Sequence, residues 1–311
     1  MRFGIFTSMG GITWPEIRSL WTEAEDRGWD AACVTDHFMP NTGGAEVPVH
    51  EGWSVLCALA ALTSRIQIGT IVLGNTYRHP AVVAKMAAEC DIISEGRLLL
   101  GLGAGWQENE HLAYGIPYYT VPERLARLDE ACHVIRSLWT QSRTDYSGQF
   151  YRLANAPLEP KPVQSPHPEL MIGGGGERVT LRIAARHADH WNVWGGPRIL
   201  SRKIGILEQH CASLGRDPAS IRRSANMALC LTGDAAEAAA FRTRFAARMR
   251  RSAGDAEDIC LAGSIDHVRE RVGALEAAGV DTLFVPTMFQ PLESVREDLS
   301  RFIEEVAPSF R

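Results

Sequence analysis

Ile66 to Trp106 reads IQIGTIVLGNTYRHPAVVAKMAAECDIISEGRLLLGLGAGW. Its opening run, Ile66 to Leu73, is apolar and rich in β-branched residues, which predicts a strand covered on both faces. A polar turn follows, Gly74 to His79, and Pro80 then opens a helix through about Ile93, proline being suited to a first turn that needs no donor. Arg97 to Leu102 is again a short apolar strand. The order strand, helix, strand predicts a parallel βαβ unit with its loops at one end of the sheet.

Outward from this unit the pattern repeats. Phe3 to Thr7 is strand-like, and Thr13-Trp14-Pro15-Glu16 has the form of a capping box ahead of Ile17, Leu20, Trp21 and Ala24 at helical spacing, with an end near Gly28. Ala31 to Thr35 predicts a strand and Trp53 to Leu62 a helix. Downstream, Thr120-Val121-Pro122-Glu123 is a second capping box, and Glu123 leads a helix whose apolar face runs through Leu125, Leu128, Cys132, Ile135 and Leu138. The stretch from Thr144 to Ala156 turns at Ser147-Gly148 and predicts a hairpin insertion near 144–156. Further strands are expected at Glu169 to Ile172, Trp191 to Trp194, Arg222 to Leu231 and Thr282 to Val285. Eight strands with helices between them and no linker-like stretch predict one domain over 1–311, a (β/α)8 TIM barrel. An open doubly wound sheet has the same order of elements and is the rival topology.

The 311 residues carry a net charge of −5, with no basic stripe for nucleic acid or anionic membrane, so a small molecule is the expected partner. Seven cysteines stand singly, without any C-x-x-C pair, as expected of reduced residues in a cytoplasmic protein. The strand-like start at Met1 leaves no room for a signal peptide in this reading, and no apolar run reaches membrane-spanning length.

Polar and glycine-rich motifs collect after the strands. Thr35-Asp36-His37-Phe38 follows the second, Gly74 to Pro80 the third with Asn75 in it, and Gly101-Leu102-Gly103-Ala104-Gly105-Trp106 the fourth. Gly173 to Gly176, then Glu177 and Arg178, joins a strand to a helix expected to start near Glu177. Consecutive glycines let backbone N–H groups approach an anion, so this loop is a candidate phosphate cradle; the bland alternative is a flexible turn. A dinucleotide fingerprint over Gly101–Gly105 fails at Trp106, and those glycines are expected to leave room for a flat ring. Asp36 and His37 offer an acceptor and a donor to a heteroaromatic edge. Glu51, Trp53, Glu108, Glu110 and His111 fall near the same rim, although Glu108 and Glu110 could equally be solvated helix residues. No nucleophile motif or metal-ligand spacing is present.

At these residues the chain resembles the luciferase-like monooxygenase superfamily, and within it the oxidoreductases that use the deazaflavin coenzyme F420. The resemblance implies a barrel whose rim holds the ring near Asp36 and His37, backed by Thr70 and Ile71 and flanked by Asn75, Gly103 and Gly105, with phosphate at Gly174, Gly175, Gly176, Glu177 and Arg178. It also implies a non-prolyl cis peptide at Thr70-Ile71 and a homodimer. Trp106 stands where the family's sugar-phosphate dehydrogenases carry an acidic proton donor. His37, Glu51 and Glu110 are therefore the expected acids. An FMN-dependent monooxygenase is the alternative enzyme, and a non-catalytic flavin-binding barrel the alternative of another class.

Overall fold

The computed structural model describes residues 1–41 and 46–311. Eight parallel strands form a closed barrel. They are β1 (Arg2–Thr7), β2 (Ala31–Val34), β3 (Gln67–Thr70), β4 (Leu98–Gly103), β5 (Glu169–Gly173), β6 (His190–Trp194), β7 (Arg222–Asn226) and β8 (Thr282–Pro286). Each pairs with its neighbour in the ring, β1 with β8 at Phe3 and Leu283, and β3 with β4 at Ile68 and Leu98. Closure decides against the open sheet.

Helices α1 (Trp14–Asp26), α2 (Gly52–Leu62), α3 (Pro80–Ile93), α4 (Glu108–Ala113), α5 (Val121–Thr140), α6 (Thr180–His187), α7 (Pro197–Ser213), α8 (Ala235–Met249), α9 (Ala253–Ile259), α10 (Ile265–Ala277) and α11 (Leu292–Arg301) surround the strands. The main core lies between strands and helices, with Trp21, Trp29, Trp191 and Phe302 buried in it. A second cluster fills the barrel: Phe6, Cys33, Leu99, Met171 and Phe284. Gly4 has to be small here, because a Cβ on it would lie 2.5 Å from the Phe284 ring.

Several expectations are corrected. The capping box at Thr13 and Glu16 is formed, but at the start of α5 only half of one exists: Thr120 accepts from Glu123 N–H while the Glu123 carboxylate turns to Arg127, 2.8 Å away. Arg222 to Leu231 is not one strand. It breaks at Met227, after which Ala228–Leu231 pairs with Cys260–Gly263 in a separate two-stranded sheet. Ile66 to Leu73 is also interrupted: β3 ends at Thr70 and Leu73–Gly74 resumes pairing with β4, and the cis peptide lies at Ile71-Val72, one residue beyond Thr70-Ile71. Residues 144–156 form the antiparallel hairpin, fastened by Glu130, whose carboxylate accepts from the N–H groups of Gln149, Phe150 and Tyr151.

Candidate active site

The carboxyl-terminal ends of the strands open into a cavity of about 1160 Å³. This is the rim on which barrel enzymes assemble their sites. Of the expected residues, Asp36, His37, Ile71, Gly103 and Gly105 line it, as do Gly174, Gly175 and Glu177 on its far side.

The β2 end is built around charge. Asp36 is buried, accepts from Gly74 N–H at 3.0 Å, and receives the Arg78 guanidinium in a bidentate pair at 2.9–3.1 Å. Burial outweighs Arg78 and pushes the Asp36 carboxyl above its ordinary range. Arg78 also reaches Glu51 Oε1 at 2.6 Å. Glu51 itself caps α2, accepting from Trp53 and Ser54 N–H, and does not line the cavity.

His37 is held from behind. Its Nδ1 lies 2.9 Å from Glu110 Oε1, and the other carboxylate oxygen accepts from Phe38 N–H at 2.9 Å. Tyr77 donates its hydroxyl to the same Glu110 Oε1. Glu110 is fully buried and walled off from the cavity. Burial raises its pKa, but the bonds from His37, Tyr77 and Phe38 outweigh that and leave it below the ordinary range. Burial and the Glu110 contact push the Tyr77 hydroxyl upward. A carboxylate only accepts, so Nδ1 must carry the proton and Nε2 remains as the ring nitrogen facing other partners. Trp106 packs edge-on to His37 with ring centroids 5.5 Å apart and is more than half exposed at the mouth.

Thr70 and Asn75 sit behind the wall. The Thr70 hydroxyl donates to Gly101 C=O at 2.9 Å and accepts from Gly101 N–H at 3.0 Å, clamping β3 to β4. Asn75 is buried against the hairpin, donating to the Tyr151 hydroxyl. The glycines of β4 and β5 make room first for Val72, which follows the cis peptide: a Cβ at Gly103 or Gly173 would lie 2.7 Å from its methyls. Gly105 has φ +77 and backs onto Thr76.

At the opposite end, Gly174 takes φ +131, and Lys203 of α7 donates to Gly175 C=O at 2.5 Å and to Glu177 at 3.3 Å. A Cβ at Gly175 would crowd Val193 at 2.9 Å and Lys203 at 3.3 Å. The helix begins at Thr180 rather than near Glu177, because residues 177–179 form turns. Gly176 and Arg178 consequently face a shallower depression on the outer side of the loop. Lys203, Val72 and Tyr77 were not singled out in the sequence. Tyr77 lay inside the Gly74-to-Pro80 motif, and Lys203 belonged to the basic run Arg198, Arg202, Lys203 in the first turns of α7.

Among the described residues no cluster of three or more His, Cys, Asp or Glu side chains could hold a metal ion, and no helix is long and apolar enough to cross a membrane. A closed parallel barrel with a cavity at the carboxyl-terminal rim, bordered by a glycine-rich strand-to-helix loop, is the architecture of barrel enzymes. The luciferase-like monooxygenase family model matches residues 1–282, and the chain belongs to that family. It is 38% identical over 171 residues to the F420-dependent glucose-6-phosphate dehydrogenase of Amycolatopsis mediterranei, covering 53% of this chain and 49% of that protein. It is 34% identical over 214 residues to the protein of the same name from Segniliparus rotundus, covering 66% of this chain and 62% of the relative. The match thus spans about half to two thirds of these relatives' length. Among solved structures, an F420-dependent secondary alcohol dehydrogenase, in complex with an F420-acetone adduct, superimposes with a TM-score of 0.87 at 21% identity, covering 100% of this chain and 99% of that one.

Proposed function

We propose that the protein is an F420-dependent oxidoreductase acting on a small organic substrate. The observation that carries the reading is a single cavity with His37, anchored by buried Glu110, at one end and the Gly174–Gly175 turn with Lys203 at the other. That donor set fits a cofactor with a flat ring and a phosphate: the glycine turn exposes backbone to an anion, Lys203 adds charge, and Ile71 and Val72 offer an apolar face. The names of the curated relatives support F420 over FMN.

F420, when bound, supplies the hydride donor or acceptor. The chain's own part is to hold the ring and to manage a proton. His37 exchanges it with the substrate oxygen or nitrogen at Nε2, because Nδ1 is committed to Glu110. Glu110 and Tyr77 position the imidazole, and Asp36 with Arg78 fixes the strand end that carries it. Glu51 acts through Arg78, not on the substrate. Asn75, Thr70 and Gly105 shape the wall behind the ring, while Gly176 and Arg178 border the phosphate loop from outside. In the same reading the enzyme is cytoplasmic, supported by its seven free cysteines, and homodimeric, supported by the family resemblance.

Parallel equilibrium titrations with F420 and FMN test the assignment. F420 should bind at least tenfold more tightly, an order-of-magnitude expectation for a site built to one ring and tail. Tighter FMN binding, with oxygen incorporated into product, would move the protein to the monooxygenase class.

A further inference from the structure

The inserted segment between β7 and β8 brings a second set of charges to the cavity. Arg248, in the last turn of α8, and Arg251, just beyond it, line the mouth opposite His37, together with Arg198, Arg202 and Lys203 of α7. Against these five cations the cavity lining carries three carboxylates, Asp255 and Glu177 at this end and Asp36 at the other, an excess of two positive charges on a chain whose net charge is −5. Arg198 is matched by Asp255 at 2.9 Å, and Arg202 and Lys203 share Glu177 at 2.9 and 3.3 Å. Arg248 and Arg251 pair with no carboxylate among the described residues. Arg248 lies instead over the Phe289 ring, 5.5 Å from its centroid. An arginine ending a helix is favoured by the helix dipole, which could account for Arg248 alone. It does not account for Arg251, outside the helix, or for both lining the same cavity.

The wall beneath them is apolar. Phe6, Met9, Val49, Trp194, Met249 and Met288 contribute to it, and the unbranched methionines adapt to ligands of irregular shape. We infer that the substrate is an amphipathic organic acid, its apolar body on this methionine-rich wall and its carboxylate on Arg248 and Arg251. The inference rests on the cofactor assignment above, since it treats the glycine loop and Lys203 as already engaged. A guanidinium pair is suited to a planar carboxylate, which it grips through parallel N–H bonds. An anionic tail of the cofactor is the other source of the same chemistry.

Calorimetric titration of the F420-loaded protein with hexanoate, octanoate and decanoate, each beside its primary amide, separates the two. The acids should bind about tenfold more tightly than the amides, the scale of a charge-assisted contact discounted for solvent exposure. In the Arg248→Gln/Arg251→Gln variant that preference should vanish, with affinity for F420 unchanged. Equal binding of acid and amide by the wild type, or no binding of either, overturns the inference. So does a variant that loses affinity for F420 while keeping it for F0, the same ring without the phosphate-bearing tail, because the arginines would then serve the cofactor. If the variant does not fold, the wild type decides: the acid preference must shrink with rising ionic strength, and a salt-independent preference rejects the arginines. Should the protein bind FMN instead of F420, the cofactor assignment fails, and the same acid–amide comparison on the FMN-loaded protein still reads this inference.

Discussion

Glu110 commits both of its oxygens inside the protein, to the His37 ring, the Tyr77 hydroxyl and the Phe38 amide. A buried carboxylate so placed governs the orientation and tautomer of the imidazole without touching the cavity. His37→Ala is therefore expected to lower turnover about a hundredfold, the low end for a proton-transfer group. Glu110→Gln, which keeps the volume but frees the tautomer, should cost about tenfold in kcat and alter its pH profile, with KM nearly unchanged. Steady-state kinetics across pH read this directly. An identical pH profile in Glu110→Gln would reduce Glu110 to packing. Legibility at this scale was uneven: adjacent Asp36-His37 stood out in the chain, whereas the link from His37 to Glu110 spans 73 positions and exists only because β2 and α4 meet at the rim.

At the scale of elements, Arg97 joins pieces that the sequence treats separately. Its guanidinium donates to the Ala60 and Thr63 carbonyls at the end of α2, to Ile66 C=O ahead of β3, and to Ser94 C=O after α3. Helix ends leave carbonyls without partners, and here one side chain satisfies Ala60 in the last turn of α2 and the capping residue Thr63. Arg97→Met should cost about 3 kcal/mol, several bonds to charged donors lost at a partly buried site, and lower the melting temperature by several degrees. A loss confined to a few tenths would mean that water replaces the guanidinium.

The amino-terminal ends of β5 and β6 hold a different device. Glu169, mostly buried, accepts from Gln67 at 3.0 Å and faces His190 at 3.3 Å and Arg222 at 3.6 Å. Burial alone would raise its pKa, but these neighbours outweigh it and bring the carboxyl down to about 2 from 4.5. A carboxyl depressed on folding contributes stability that is complete above the unfolded value and is lost as pH falls from 4.5 through about 2. The shift corresponds to about 3 kcal/mol. Urea midpoints should thus fall with acid in the wild type, and Glu169→Gln should flatten that limb. Unchanged acid sensitivity in the variant would assign it elsewhere.

For the whole molecule the decisive fact is closure. β1 lies between β2 and β8, so residues near the start pair with residues near 282–286, and the Met1 ammonium reaches Phe310 C=O at 2.5 Å. Closure gathers loops from every part of the chain onto one rim, where a positive mouth sits on a negative protein. At the glycine-loop end of that mouth, Arg202 and Lys203 should accelerate capture of a phosphate-bearing cofactor. Stopped-flow association of F420 is expected to slow about tenfold from low to high ionic strength. A salt-independent rate would deny the mouth any part in capture.

The sequence by itself determined the element order, most strand positions, the glycine-rich loops and the rim on which they cluster, because those depend on local periodicity and on the backbone freedom of glycine. The cis bond was implied only by the family resemblance, which mapped it to Thr70-Ile71, one residue short of Ile71-Val72. Nor could the sequence tell that Arg222 to Leu231 leaves the barrel at Met227, because no glycine or proline interrupts the run and only the partner strand differs. Tertiary structure alone decided which charges meet: Glu51 turned to Arg78, Glu110 to His37, Lys203 to the glycine loop, and Arg248 with Arg251 to the cavity mouth. These pairings join residues far apart in the chain, and a side chain's partner is fixed by the path of the backbone that carries it.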